Sequence, residues 1–165
     1  MKIDRVIVGK LETNCYILSI KNECIVIDPG DEYDKIKKCI GNKEVIGVII
    51  THYHFDHIGA LNNFDKNLIY DINNLVEKEN KIGDFNFEVI YTPGHKEDSI
   101  TIYFKKEKVM FTGDFIFKDG IGRIDLPGGN YKDMLNSLEK IKKYDRDVII
   151  YPGHGDKTIL YNEIW

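Results

Sequence analysis

Cysteine is sparse in this 165-residue sequence, and its arrangement excludes a disulfide scaffold: Cys15, Cys24 and Cys39 are odd in number and form no CxxC pair. Reduced thiols of a cytosolic protein fit that pattern. Cys15 and Cys24 lie in apolar, strand-like surroundings where burial is the default role. No apolar run reaches the ~20 residues of a membrane-spanning helix. The opening Met1-Lys2-Ile3-Asp4-Arg5 lacks the apolar stretch of a secretory signal. The expectation is therefore a cytoplasmic protein with no membrane partner. Excess positive charge is missing too: 23 Lys and Arg stand against 27 Asp and Glu, a net charge of -4. Without a basic stripe, nucleic acid is not an expected partner. The lysines are mixed with acids along helix-like stretches and read as solvated faces. Repeats, low-complexity segments and linkers are absent, so residues 1–165 read as one domain, long enough to bury a core without staples.

Histidine is equally scarce, and its placement is the main positive signal. The five lie at positions 52, 54, 57, 95 and 154. Three fall in Thr51-His52-Tyr53-His54-Phe55-Asp56-His57, directly after the β-branched run Val45-Ile46-Gly47-Val48-Ile49-Ile50, which reads as a buried strand. Alternate side chains of an extended chain share a side. His52, His54 and Asp56 therefore project together, and His57 comes round as the chain turns into Ile58-Gly59. The other two histidines sit in matching contexts, Thr92-Pro93-Gly94-His95 and Tyr151-Pro152-Gly153-His154, each after an apolar run. A solvated polar loop would not place every histidine of the chain at the end of a strand-like run. Imidazoles and carboxylates grouped this way suit zinc, iron or manganese.

The rest of the chain reads as strands at Ile3–Val8, Asn14–Ile20 and Cys24–Asp28. A helix follows, capped by Asp31, with Tyr33, Ile36 and Ile40 buried and Gly41 as its stop. A short strand at 68–70 and a short helix over 72–77 come before a turn near Gly83. Phe85–Tyr91 is a strand, and Ser99–Phe104 with Val109–Thr112 a hairpin that ends at Gly113-Asp114. A glycine-rich loop, 120–130, leads to a helix capped by Asn130, with Tyr131, Met134, Leu135, Leu138 and Ile141 on one face. A last strand carries His154, and the tail Thr158–Trp165 reads as a short helix. Strands first, then strand and helix in alternation, give two sheets between two helical layers.

The pattern His52-Tyr53-His54-Phe55-Asp56-His57, followed in order by His95, Asp114 and His154, resembles the HxHxDH signature of the metallo-β-lactamase superfamily over nearly the whole chain. The resemblance implies an α/β (α+β) four-layered αββα sandwich with a two-metal site at one edge. Carried over by position, His52, His54 and His95 hold one divalent ion, and Asp56, His57 and His154 the other. Asp114 bridges them, and Asp56 also orients the nucleophile. Zinc is the first expectation; iron or manganese would accept the same donors. Many β-lactamases of this fold have cysteine at the Asp114 position, so a dedicated antibiotic hydrolase is not expected. Flavin-linked di-iron reductases have Glu where His54 stands. Gly113-Asp114-Phe115-Ile116-Phe117 and Gly120-Ile121-Gly122-Arg123-Ile124-Asp125-Leu126-Pro127-Gly128-Gly129 look like glyoxalase II-like thioester hydrolases, as do Asn14-Cys15-Tyr16 and Asp28-Pro29-Gly30.

The implied reaction is cleavage of a small acyl (hydroxyacyl) thioester by metal-bound hydroxide, with a small-molecule substrate. A thiolate leaves without a strong general acid. Arg123 is a candidate for gripping a substrate carboxylate, with tying down its own loop as the equal alternative. Glyoxalase II proper continues into a helical domain that helps bind glutathione, and only Gly155–Trp165 follows the last ligand here, so glutathione is not the expected carrier. The main competitor is a persulfide dioxygenase with one iron on His54, His95 and Asp114. Behind it stands a non-catalytic metal-binding module.

Overall fold

The β-branched runs form two sheets that face each other across the core. The computed structural model describes residues 1–163. Its first sheet has β1 (Lys2–Val8), β2 (Thr13–Ile20), β3 (Glu23–Ile27), β4 (Glu44–Ile49) and β5 (Ile69–Tyr70) in chain order. β1, β2 and β3 are antiparallel, whereas β3, β4 and β5 run parallel. The parallel step from β3 to β4 needs a crossover, supplied by α1 (Tyr33–Ile40); the single-turn α2 (Phe55–Ile58) follows β4. The second sheet takes β6 (Lys78–Ile82), β7 (Phe85–Tyr91), β8 (Ile100–Phe104) and β9 (Val109–Gly113). A separate hairpin, β10 (Ile116–Phe117) and β11 (Gly120–Ile121), then precedes α3 (Tyr131–Ile141), β12 (Ile149–Pro152) and β13 (Thr158–Ile159). The order across this sheet is β13-β12-β9-β8-β7-β6.

Period-two alternation assigns each strand residue to a layer. Leu18, Ile25, Ile27 and Ile49 point inward against Phe87, Val89, Ile102, Phe104 and Phe111 of the other sheet. Val26 and Val48 point outward and meet Ile36 and Ile40 of α1. On the opposite face Ile90, Met110 and Ile150 meet Met134, Leu138 and Ile141 of α3. Each fully buried Leu, Ile or Phe contributes about 1.5–3 kcal/mol, enough in sum to fix both helices on the outer faces. The result is the αββα sandwich expected from the sequence.

Several local expectations need correction. Asp31 does not cap α1. The cap position is Glu32, in the left-handed region at φ 48°, while Asp31 Oδ1 accepts from the Glu32 amide. No helix forms over 72–77: Asp71 Oδ1 accepts from Asn73 N, and Asn74 Oδ1 accepts from Asp71 N, so side chains close the backbone into a turn. In α3 Tyr131 and Leu135 are exposed, and Ser137 takes the buried place by donating to the Pro93 carbonyl at 2.7 Å. The tail begins with β13 and a 3-10 turn at Leu160–Asn162 instead of a helix; residues 164 and 165 lie outside the described residues.

Candidate metal centre

β7, β9 and β12 point the same way, because β7 and β9 are each antiparallel to β8 and β12 is parallel to β9. Their C-terminal ends therefore share one edge, where His95, Asp114 and His154 follow. β4 delivers Thr51 and His52 to the same edge, and α2 holds Asp56 and His57. Backbone bonds lock the two sheets together here. Ile100 N donates to the Thr51 carbonyl at 2.9 Å and Asn14 N to Gly153 O at 2.7 Å, while Gly153 N, donating to Gly113 O at 2.8 Å, extends the β9–β12 pairing beneath them. Two glycines make the approach possible. Gly113 takes φ 51°, and a Cβ there would sit 2.3 Å from Thr51 Oγ1; a Cβ on Gly153 would sit 2.1 Å from Asp114 Oδ1.

All five histidines converge. His52 Nε2 lies 3.0 Å from His54 Nδ1, and His95 Nε2 lies 2.9 Å from the same atom. These three nitrogens form one group within ligand distance, and Asp56, His57 and His154 form a second. Asp114 stands between them: Oδ1 is 3.2 Å from His57 Nε2, and Oδ2 is 3.6 Å from His95 Nε2 and 3.4 Å from His154 Nε2. Asp56 Oδ2 is 3.2 Å from His154 Nε2 and accepts from Thr13 Oγ1 at 2.9 Å.

The far side of four of the five rings, all but His54, is held by an oxygen, which fixes tautomer and orientation. His95 Nδ1 donates to the Arg123 carbonyl at 2.7 Å, His154 Nδ1 to the Leu11 carbonyl at 3.0 Å, and His57 Nδ1 to Asp28 Oδ2 at 2.9 Å. Thr51 Oγ1 donates to Asp28 Oδ2 at 2.6 Å, so it accepts from His52 Nδ1 at 3.1 Å. Asp28 also groups with His52 and His57 by distance alone. Its carboxylate is already satisfied by Thr51 and His57, so it supports the rings from behind. The sequence pointed to Asp28 as the end of a strand and as part of the family-like Asp28-Pro29-Gly30, without a role for its carboxylate. Thr13 and the Leu11 carbonyl gave no sequence signal.

The electrostatics divide the site in two. Burial, with His57 next, lowers the His52 pKa well below its ordinary value, and burial with His95 lowers His54. Burial also disfavours charge on His57, yet Asp28 and Asp114 overcome it and push the pKa up to about 10. At His154 burial is again outweighed, by Asp114 and Asp56, and the value rises to about 9. Burial works to raise both carboxylates, but His154 and His57 hold Asp114 and Asp56 well below the usual range, with Thr13 adding to Asp56. Protonated rings on carboxylates thus hold in place a donor set that suits cations. Two buried atoms of that set, His57 Nε2 and Asp114 Oδ1, have no aligned hydrogen-bond partner. Orphaned donors of this kind at the centre of a nitrogen and carboxylate cluster fit divalent ions.

Arg123 reaches the site through its carbonyl, on His95. Its guanidinium forms a bidentate pair with Asp125 at 2.7 Å for each bond, out in solvent.

Residues 8–72 and 65–154 match the family described as the metallo-beta-lactamase superfamily. The probable metallo-hydrolase YqgX of Bacillus subtilis (strain 168) is 32% identical over 199 aligned positions, which cover 99% of this chain and 94% of that protein. The hydroxyacylglutathione hydrolase GloC of Haemophilus influenzae is 28% identical, with 99% and 95% covered. Among solved structures, the BLEG-1 B3 metallo-beta-lactamase superimposes with a TM-score of 0.92 at 28% identity, covering 98% of this chain and 96% of that one. TTHA1623 in a di-iron-bound form gives 0.87 at 27%, with 97% and 96% covered. The chain belongs to the metallo-β-lactamase superfamily, and its relatives include hydroxyacylglutathione hydrolases of the glyoxalase II-like branch.

Proposed function

We propose that the protein is a binuclear metallo-hydrolase that cleaves a small acyl or hydroxyacyl thioester. The observation that carries this reading is the pair of donor groups, His52-His54-His95 and Asp56-His57-His154, with the Asp114 carboxylate between them. In this reading the first group would hold one divalent ion and the second another, with the Asp114 carboxylate as a further donor between them. Zinc or iron suits these donors, and the di-iron form of TTHA1623 supports iron as much as zinc. When bound, the two cations acidify a shared water towards a pKa of about 7 and polarise the substrate carbonyl.

The chain's own groups do the positioning. Asp56, fixed by Thr13 Oγ1, orients the attacking water. Asp114 offsets repulsion between the cations. A thiolate departs without a proton donor, which suits a site whose titratable groups are all committed to one another. Beside Asp56 lies a cavity of about 270 Å³ with Gly9, Gly30, Gly59, Leu11 and Phe55 in its lining. Lys10, Thr13 and Asp31 also line it, so the cavity is a mixed polar and apolar recess beside Asp56, of a volume that fits a small acyl group. Arg123 would grip a substrate carboxylate by exchanging it for Asp125, because the pair is exposed.

The oxygenase alternative needs only His54, His95 and Asp114 and leaves Asp56 and His154 without work, which favours the hydrolase. The test is elemental analysis with a thioester panel on one anaerobically purified sample, with a β-lactam and a persulfide alongside. Two ions per chain with thioester turnover support the reading. One iron with oxygen uptake on persulfide overturns it, as does a β-lactam turned over in preference to every thioester.

A further inference from the structure

A second cavity lies apart from the acyl pocket, in the groove between edge strand β1 and the β12–β13 edge. It measures about 470 Å³, and Arg5, Tyr16, Lys118, Tyr151, Asp156 and Lys157 line it. That volume is of small-molecule size. Three cations face one carboxylate there, although the whole chain carries a net charge of -4.

The groove is a built feature tied to the loop that carries His154. Arg5 Nη1 donates to the Gly155 carbonyl at 2.7 Å and to Asp156 Oδ1 at 3.2 Å. Lys118 sits on the β10–β11 hairpin, which is anchored where the Asp119 amide donates to the buried Glu163 carboxylate at 2.9 Å. Among the described residues neither Lys118 nor Lys157 joins an ion pair. Lys157 Nζ instead lies 5.8 Å from the centre of the Tyr151 ring. Position along β2 sets the distance to the metal centre. Thr13 bridges to His154, and Tyr16, the partner of Arg5 in the β1–β2 register, lies three residues further along. Three extended residues span roughly 10 Å. That separation is too great for a small acyl group at the metals and suits the distal part of a larger substrate.

We propose that this groove binds the phosphate-bearing arm of the substrate's carrier thiol, with Lys118, Lys157 and Arg5 pairing the phosphates. The word carrier rests on the thioester reading above; the anion site itself does not. Point-charge lysines beside a forked guanidinium suit phosphate. Three cations match a polyanion better than a single carboxylate.

Two measurements on metal-loaded protein test the site and the reading separately. The first is calorimetric binding of adenosine 3′,5′-bisphosphate. It should bind one per chain, with affinity about tenfold weaker in K118Q/K157Q. No binding, or binding that the double variant leaves unchanged, overturns the site. The second compares one acyl group on coenzyme A, on glutathione and on neutral N-acetylcysteamine. K118Q/K157Q should raise KM about tenfold for the coenzyme A thioester and leave the neutral thioester unchanged. An equal loss on the neutral thioester, or a loss confined to the glutathione thioester, overturns the proposal. Bisphosphate binding that the variant weakens, with no thioester turned over by the wild type, supports the site and overturns the thioester reading.

Discussion

His57 and His154 show how the proposed centre stores its charge. Both imidazoles have pKa values raised by facing carboxylates, to about 10 and about 9, against burial that works the other way. At neutral pH each therefore carries a proton that a metal ion must displace. Loading the stripped protein with zinc at pH 7 should release about two protons per chain, seen as a calorimetric enthalpy that varies with the buffer's ionisation enthalpy; a buffer-independent enthalpy would contradict the assignment. The same shifts set the pH response of the stripped protein. A folded pKa above the unfolded value of 6.5 gives stabilisation that is complete below pH 6.5 and lost as pH climbs through about 9 to 10. Its Tm should fall across that window, and a flat profile would speak against charged His57 and His154. Asp28 accepts from His57 Nδ1 and from Thr51, so Asp28→Ala should weaken metal binding about 10–100-fold while the fold survives. Competition against a chelator reads that loss directly. Asp114→Ala should lower metal content below two per chain and cut kcat by about 10²–10³-fold or more.

Strands were the most legible elements. β7 falls on the run Phe85–Tyr91, and β1 and β2 begin one residue before the runs Ile3–Val8 and Asn14–Ile20, because a strand that packs on a core has little freedom in register. Helix ends were less legible. Asn130 caps α3, its side chain accepting from the Asp133 amide at 3.1 Å. Asp31 offered the same chemistry before α1, but its carboxylate closes on the adjacent Glu32 amide, and Glu32 reaches back to accept from Gly9 N at 2.9 Å. The weakly patterned segment 72–77 reads as a short helix, yet the Asp71 and Asn74 side chains accept from the Asn73 and Asp71 amides, bonds that a turn satisfies better. Ser137 was invisible as a buried residue because its partner, the Pro93 carbonyl, is 44 positions away. For α3 the cap is separable from the chemistry. Asn130→Ala should cost about 1 kcal/mol, a Tm decrease of roughly 2–4 °C, with metal content unchanged. A drop in metal content would mean that α3 sets the position of His95 more strongly than its contacts indicate.

At the level of the assembled sandwich, the two sheets bring distant segments to one edge, and the sequence announced this because every histidine follows a strand. The donor residues were readable from that fact and from their order. Their supports were not: Thr13 Oγ1, the Leu11 and Arg123 carbonyls and the Thr51–Asp28 pair act through contacts between segments far apart in the chain. Arg123 shows the limit most clearly, since its backbone oxygen serves His95 while its side chain pairs with Asp125. A binuclear centre requires two cations together, one in each donor group, for turnover. Titrating zinc or ferrous iron into stripped protein while following thioester hydrolysis tests it most directly. Activity should saturate at two equivalents and rise mainly on the second; full activity at one equivalent, or turnover by the stripped protein, would overturn the binuclear reading.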